Sequence, residues 1–408
     1  MQPNFFAEIL ADNPIAFSLR AYDFLREKNA GKAVVVCQDL ELEEFQSLGF
    51  CKLTPLETPA PHLYKYWGGE EHDALLDTYE QVVWSVQWNQ SELMVVQLQW
   101  EASCGRNQRY YVVADTEELA DSLILDVARK THSPGESVLV FANGYWGRNR
   151  TLYRLIRSAS FDDLILPDKF KEDLRRDFRQ FLDAEKQYLR LGISWKRGAL
   201  LIGPPGNGKT HFLRALIREM GIPVLYVQSL SHHHYTPEQM WYQVFQRARG
   251  LKPCVLILED LDALVKPENR SFFLNQLDGL QQNHGLIVLA TTNHPERIDS
   301  AIIDRPSRFD RKYHFELPTT DLRSRYLALW QTKLADETGW RPDEVPAVAE
   351  STAGFSFAYL KELMISSVMK WLENPGSSFA ATAVEHVSQL RLQMKTDVDE
   401  NSSAIPAE

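Results

Sequence analysis

The stretch "GPPGNGKT", Gly203 to Thr210, constrains this chain more than any other part of it. It fits G-x-x-x-x-G-K-[ST] at every fixed position and stands between an apolar run, "RGALLI", and a helix-like run, "HFLRALIREMG". Strand, glycine-rich turn, helix is the context in which the pattern has physical meaning. Glycines let successive backbone N–H groups curl around phosphate oxygens, and the helix N-terminus adds its positive end. Lys209 can then reach the outer phosphates, while the Thr210 hydroxyl can ligate Mg²⁺. Gly203, Pro204, Pro205, Gly206, Asn207, Gly208, Lys209, Thr210 and the adjoining His211 are therefore candidate contacts to ATP.

Such a loop needs carboxylates on a neighbouring strand, one to hold Mg²⁺ and often a second to polarise the attacking water. The run "CVLILEDLD" supplies Glu259 and Asp260 at its end, with Asp262 just beyond. Thr210, Glu259 and Asp260 are thus the candidate metal-side residues. The buried-looking strand "LIVLATTN" ends in Thr291, Thr292 and Asn293, and Asn293 could bond the γ-phosphate or the water. In "IDRPSRFDRKYHF", Arg305, Arg308 and Arg311 read either as stabilisers of phosphoryl transfer, supplied in cis or from a neighbouring subunit, or as solvated and ion-paired surface groups. Apolar runs and helix-like runs alternate through "PVLYVQS", "PCVLILED", "GLIVLATTN" and "RKYHFELP", the signature of a parallel sheet covered by helices.

The remainder divides around this segment. The chain has 408 residues, enough for two or three domains at roughly 150 residues each. Residues 1–157 read as an α+β domain of unknown role. "EILADNPIAFSLRAYDFLREKNAG" is helical with an interruption at Pro14, "KAVVVC" is a strand, and 52–73 is a loop. "EQVVWSVQW", "ELMVVQLQW" and "RYYVVA" are strands, with Asn89–Gln90 and "EASCGRNQ" as turns. "DTEELADSLILDVARK" is a capped helix, and Asn143–Gly144 in "ESVLVFANGYW" marks a hairpin. Trp84, Trp88 and Trp100 read as core, with a ligand platform as the alternative. "DKFKEDLRRDFRQFLDAEKQYLRL" is one amphipathic helix carrying Phe170, Leu174, Phe178, Phe181 and Leu182. Residues 158–318 form the nucleotide domain and 319–393 a small helical domain. Residues 394–408 form a disordered acidic tail.

The net charge of -11 argues against a general nucleic-acid binder, which needs Lys and Arg for the phosphate backbone. Four cysteines, none at C-x-x-C spacing, fit a reducing compartment without a disulfide framework. Apolar runs such as "GLIVLA" fall far short of the roughly 20 residues of a membrane helix, and "MQPNFFAEIL" lacks the basic region of a signal peptide. The expectation is a cytoplasmic protein with no membrane span.

Taken together, these segments resemble the AAA+ ATPases, and within them the AAA branch of ring-forming remodelling motors, from about Phe161 to Lys370. "FDDLILP" is similar to the segment that brackets the adenine, which implies Asp163 as a nucleotide contact. "GPPGNGKT" resembles the Walker A loop, with Asn207 where Thr is more usual, and "VLILEDLD" the Walker B strand. "ATTN" resembles the first sensor. "IDRPSRFDR" is similar to R-P-G-R-x-D-R with Ser307 in place of Gly, which implies Arg308 and Arg311 as arginine fingers. "AGFSFAYLKEL" resembles the lid segment, placing Gly354 and Phe355 near the nucleotide. The usual carboxylate order is Asp–Glu, whereas here it is Glu259–Asp260. The branch resembling the mitochondrial translocase of the Rieske iron–sulfur protein shares that order, and "WKRGALLIGPPGNGKT" also looks like it.

The fold expected is α/β: a P-loop NTPase with a five-stranded parallel sheet flanked by helices, a small helical lid and the separate N-terminal domain. The resemblance implies ATP hydrolysis with Mg²⁺ by a hexamer or heptamer of identical chains that remodels a protein partner. Lys209, Glu259, Asp260, Asn293, Arg308 and Arg311 would carry the catalysis. The alternative is an ATP-binding switch or scaffold with little turnover, which the inverted carboxylate order would suit. One motif stands outside the nucleotide machinery. In "SLSHHHYTPEQ", His232, His233, His234 and Tyr235 read as an axial substrate-gripping loop, as a plain surface loop or as a metal site. The metal reading is the weakest, since consecutive side chains on an extended segment point alternately and no nearby Cys or paired acid completes a zinc set.

Overall fold

The computed structural model describes residues 17–402 apart from 39, 58–62, 68–74, 103–104, 233–234, 279–282, 304 and 306. The chain divides into two compact units, Met1–Ser133 and Pro134–Glu408.

The first unit runs α1 (Phe17–Lys28), β1 (Ala33–Cys37), α2 (Leu42–Ser47), β2 (Lys52–Glu57), β3 (Leu63–Trp67), β4 (Leu75–Tyr79), β5 (Val82–Trp88), β6 (Ser91–Ala102), β7 (Gly105–Ala114) and α3 (Glu117–His132). Five of its strands form an antiparallel sheet in the order β1-β7-β6-β5-β2, and β3 pairs with β4 alone. Alternation along β5 and β6 feeds two cores. Trp84, Val86, Trp88 and Val95 join residues of α2 and α3, while Val83, Val96 and Leu98 join Ala21 and Leu25 of α1. Trp84 and Trp88 are therefore core side chains, each with its indole N–H donated inside the unit, to Gln97 at 3.4 Å and to Asp126 at 3.0 Å. The side chain of Trp100, Cys104 and the region around Pro14 lie outside the described residues. Asn89 and Gln90 both take positive φ, as a two-residue hairpin loop requires. The segment expected as loop over 52–73 contains β2 and β3. Pro55 misled that expectation: a proline is tolerated in β2 because β2 is the sheet's outermost strand.

The second unit begins with β8 (Val138–Ala142), β9 (Tyr145–Asn149), α4 (Arg150–Ser158), α5 (Asp168–Asp183) and α6 (Glu185–Arg190). It continues with β10 (Arg197–Ile202), α7 (Lys209–Met220), β11 (Val224–Val227), α8 (Pro237–Gly250), β12 (Cys254–Leu258), α9 (Leu261–Leu264), α10 (Pro267–Asp278), β13 (Leu286–Thr292), α11 (Ser300–Ile303) and β14 (Arg311–His314). These strands make a seven-stranded sheet in the order β14-β10-β13-β12-β11-β8-β9, parallel except for β9. The five strands expected are present, and the β8–β9 hairpin adds two more. The domain boundary expected at 157 thus falls at Ser133–Pro134. The hairpin's apolar period fits either sheet, and only the non-local pairing Leu225↔Leu139 to Val227↔Phe141 assigns it. Every residue of β10, β12 and β13 is buried, as strands covered on both faces must be. One face packs on α8 and α10 through Trp241, Phe245 and Phe273, the other on α5 and α7 through Phe178, Phe181 and Phe212. The single helix expected over 168–191 breaks at Ala184, with Leu174, Phe178 and Phe181 buried before the break.

The lid holds α12 (Thr320–Thr338), α13 (Val345–Ser351), α14 (Phe357–Glu373) and α15 (Phe379–Ser402) around Leu327, Trp340, Phe355, Leu360 and Phe379. Its buried Arg323 is met by four neutral acceptors: the carbonyls of Pro318 and Ala349 and the hydroxyls of Thr320 and Thr352. The tail expected as disordered from 394 is helical through Ser402, since a polar sequence extends a helix already nucleated; 403–408 lie outside the described residues. Among the described residues no helix is long and apolar enough to cross a membrane.

Candidate nucleotide site

The site lies where β10, β12 and β13 end side by side. β10 delivers the glycine-rich loop, and α7 starts at Lys209 with Gly208 in the left-handed region before it. Two glycines are demanded by their surroundings. A Cβ on Gly203 would lie 2.1 Å from the Phe315 carbonyl oxygen. One on Gly206, at φ +76°, would lie 2.4 Å from the Ala358 methyl. The second contact brings the lid onto the loop, and the Ala358 N–H donates to the Gly206 carbonyl at 3.2 Å. Gly354 and the fully buried Phe355 precede Ser356, whose hydroxyl caps α14. Asn207 is buried, with its side-chain oxygen unpartnered among the described residues. His211 is half-buried in the first turn of α7. Phe161 and Leu164 of the segment expected to bracket the adenine pack against the same helix, whereas Asp163 is exposed.

Two hydrogen-bonded chains leave the loop. In the first, Lys209 Nζ donates to the carbonyls of Gly203 (2.5 Å) and Pro204 (2.9 Å) and to Asn293 Oδ1 (2.7 Å), using all three of its donors. Asn293 Nδ2 in turn donates to Asp260 Oδ1 at 3.2 Å. The amide thus links the ammonium to the carboxylate with the correct end toward each. In the second, Thr210 Oγ1 donates to Glu259 Oε1 at 2.7 Å and the Tyr226 hydroxyl to Glu259 Oε2 at 2.9 Å. Asp262 accepts from Thr292 at 2.7 Å, and Thr291 Oγ1 accepts the Asp260 N–H at 3.1 Å. These strand-tip threonines hold the carboxylate segment, in which Asp260 sits at φ +49°.

The electrostatics follow from this crowding. Burial, then Asp262 and Glu259, push the Asp260 carboxyl above its ordinary value, while Lys209 and His294 pull it back. Burial lowers the Lys209 ammonium against the opposing pull of Asp260. Burial and the adjacent Glu259 push the Tyr226 phenol well up, so it stays a donor. A hydroxyl and a carboxylate 2.7 Å apart are hard oxygen ligands of the kind that suits Mg²⁺, which takes one or two protein ligands and completes its shell with phosphate and water. Among the described residues no cluster of three or more His, Cys, Asp or Glu could hold a metal by itself.

The arginines stand elsewhere. A Cβ on Gly198 would lie 1.9 Å from the Arg308 carbonyl oxygen, and Arg311 is in register with Ala199. Both positions are near the start of β10, roughly 13–17 Å from the start of the phosphate loop at about 3.3 Å per residue. Arg308 is buried against Asp278 (2.6 Å) and the Ala301 carbonyl. Arg311 makes two bonds to Asp177, at 3.0 and 3.2 Å, and Asp177 also receives Arg197 (2.6 Å) and the Tyr313 hydroxyl (2.7 Å). Arg305 is exposed.

The histidine loop packs on the β8–β9 turn. His232 stacks on Tyr235 at 4.7 Å between centroids, and both meet Tyr145 edge-on at 5.6 and 6.2 Å. The loop ends in a capping box in which Thr236 and Gln239 bond each other's backbone at the start of α8. His233 and His234 lie outside the described residues.

Sequence reasoning missed Tyr226 and the lid contact at Gly206. A phenol inside the apolar run "PVLYV" was a signal for the first; nothing local marks the second.

Comparison with known proteins places this geometry. Residues 199–317 match the family described as "ATPase family associated with various cellular activities (AAA)". The segment is an AAA ATPase domain. The chain is similar to the ATP-dependent zinc metalloprotease FtsH 3 of Symbiobacterium thermophilum, 32% identical over 260 residues, covering 58% of this chain and 39% of the relative. It is 33% identical over 224 residues to FtsH 2 of Salinibacter ruber, covering 50% and 32%. It is 27% identical over 307 residues to FtsH 1 of Bdellovibrio bacteriovorus, covering 69% and 46%. The chain spans less than half the length of these relatives. The AAA domain and the FtsH relatives support ATP hydrolase activity.

Proposed function

We propose that this chain is an AAA motor that hydrolyses ATP as a ring of identical subunits, six or seven, and remodels or translocates a protein partner in the cytoplasm. The observation that carries the reading is the convergence of Lys209, Thr210, Glu259, Asp260 and Asn293 at the ends of three adjacent strands. From the relatives' names the proposal takes only "ATP-dependent", because the matched segment is the ATPase.

Each group has a role that its position allows. The backbone N–H groups of the glycine loop and Lys209 bind the β- and γ-phosphates. Thr210 and Glu259 would hold Mg²⁺, which when bound neutralises charge on the phosphate oxygens. Asp260, a carboxylate made more basic by burial and by its neighbours Asp262 and Glu259, accepts a proton from the attacking water, and Asn293 orients that water from the adjacent strand tip. Because Asp is one methylene shorter than the more usual Glu, the water must sit closer to the strand. Arg308 and Arg311 stand far from their own phosphate loop, so any charge they supply to phosphoryl transfer goes to a neighbouring subunit's nucleotide. The Glu259–Asp260 order favours the branch resembling the Rieske protein translocase.

Phosphate release by the wild type, Asp260→Asn and Arg308→Ala tests the reading. Turnover in the wild type that collapses in both variants, with Arg308→Ala rescued by mixing with Asp260→Asn subunits, is expected. Equal background rates in all three would instead favour an ATP-binding switch.

A further inference from the structure

Glu259 has a longer arm than the aspartate usual at its position in the resembled family, and a longer arm has more rotamers to lose. The structure shows what restrains it. In the parallel pair of β11 and β12, Tyr226 is in register with Ile257. Side chains two apart on a strand share a face, so Glu259 leaves the strand end on the face that carries Tyr226. The Tyr226 ring packs on the core cluster containing Val224, Val255 and Ile257, which fixes where its hydroxyl can reach. That hydroxyl donates to Glu259 Oε2 at 2.9 Å, while Thr210 donates to Oε1 at 2.7 Å. The carboxylate is thus held at both oxygens, from two different elements.

We propose that Tyr226 is a positioning residue for Mg²⁺: it fixes the Glu259 carboxylate with one oxygen turned toward Thr210, so that the pair is preorganised for the ion. A hydrogen bond from a half-buried phenol to a metal-side carboxylate restricts its rotation and orients its lone pairs. The proposal rests on the reading of the site as one for Mg²⁺ and ATP. It also explains how a glutamate can serve where an aspartate is usual, since the extra methylene lets the head group span the gap between Tyr226 and Thr210.

The test is Tyr226→Phe, which keeps the ring and its packing. Binding of a fluorescent ADP analogue is titrated at graded Mg²⁺ and in EDTA, so no turnover is needed. Affinity in EDTA stays at the wild-type level, while the Mg²⁺ concentration giving half of the ion-dependent gain rises about 10-fold. Glu259→Asp shows a similar rise, and the double variant shows no more than Glu259→Asp alone, because Tyr226 acts only through Glu259. A Tyr226→Phe titration that superimposes on the wild type overturns the proposal. So does an equal loss in EDTA and Mg²⁺, or additive effects in the double variant. A wild type whose affinity ignores Mg²⁺ overturns the site reading as well, which separates the two failures.

Discussion

Replacing Asn293 by aspartate changes charge with almost no change of shape. In the wild type the amide oxygen accepts from Lys209 at 2.7 Å and the amide nitrogen donates to Asp260 at 3.2 Å. An aspartate turns the first contact into an ion pair and the second into a facing pair of carboxylates. At an effective dielectric of 20 the gain toward Lys209 is about 6 kcal/mol and the repulsion from Asp260 about 5 kcal/mol. The remainder, about 1 kcal/mol, ties Lys209 more firmly to the protein, and the new charge also repels the γ-phosphate. ATP affinity should therefore fall by at least about 5-fold. Asn293→Ala is the control. Lys209 keeps the Gly203 and Pro204 carbonyls, so affinity stays near wild type while turnover drops about 100-fold, the scale for losing one oriented polar group at a reacting centre. Equilibrium ATP binding and steady-state phosphate release measure the two effects separately. An Asn293→Asp variant that binds ATP as tightly as the wild type would show that Lys209 is not held by this amide, and the reasoning fails.

Other outcomes follow from the same geometry. Because the folded Asp260 carboxyl is raised, the native state loses stability as pH climbs through that raised value; Asp260→Asn should melt higher than the nucleotide-free wild type at pH 7 to 8, with the difference shrinking in acid. Asp177 is the opposite case. Burial raises it, but bonds from Arg311, Tyr313 and Arg197 win and hold it low, so its contribution is present above the ordinary Asp range and disappears as acid reaches its lowered value. Asp177→Asn removes the closer of the two carboxylates on the buried Arg197, which keeps Asp310 at 3.3 Å, and should cost about 1–3 kcal/mol in denaturant unfolding. Gly206→Ala puts a Cβ at positive φ against Ala358, costing about 1–2 kcal/mol in conformation alone, and a lid forced off the loop should weaken nucleotide binding.

The nucleotide fold was legible because its signals are local. "GPPGNGKT" carries its own strand and helix, and the fully buried strands read as unbroken apolar runs. What sequence alone did not supply depended on partners distant in the chain. "VLVFANGYW" declared a hairpin but not the sheet it joins, because pairing with β11 is set some eighty residues on. Arg308 and Arg311 were visible as arginines, yet their ion pairs with Asp278 and Asp177 come from elements brought beside them only by the fold. Of the three histidines only His232 lies among the described residues. His232 and Tyr235 stack on each other and meet Tyr145 edge-on, so half of the motif is occupied in holding the loop to the β8–β9 turn.

That hairpin has a practical consequence for anyone dissecting the chain. The last strand of the seven is β9, whose residues alternate exposed and half-buried and include Arg148 and Asn149, a polar rim that discourages strand addition from another molecule. A fragment begun at 158 would strip β8 and β9 away and leave the mostly buried "VLYV" of β11 with a row of open N–H and C=O groups. Such a piece would retain its entire phosphate loop and still be prone to self-association into insoluble material. A fragment begun at Pro134 keeps the rim, and solubility should separate the two far more sharply than nucleotide binding does.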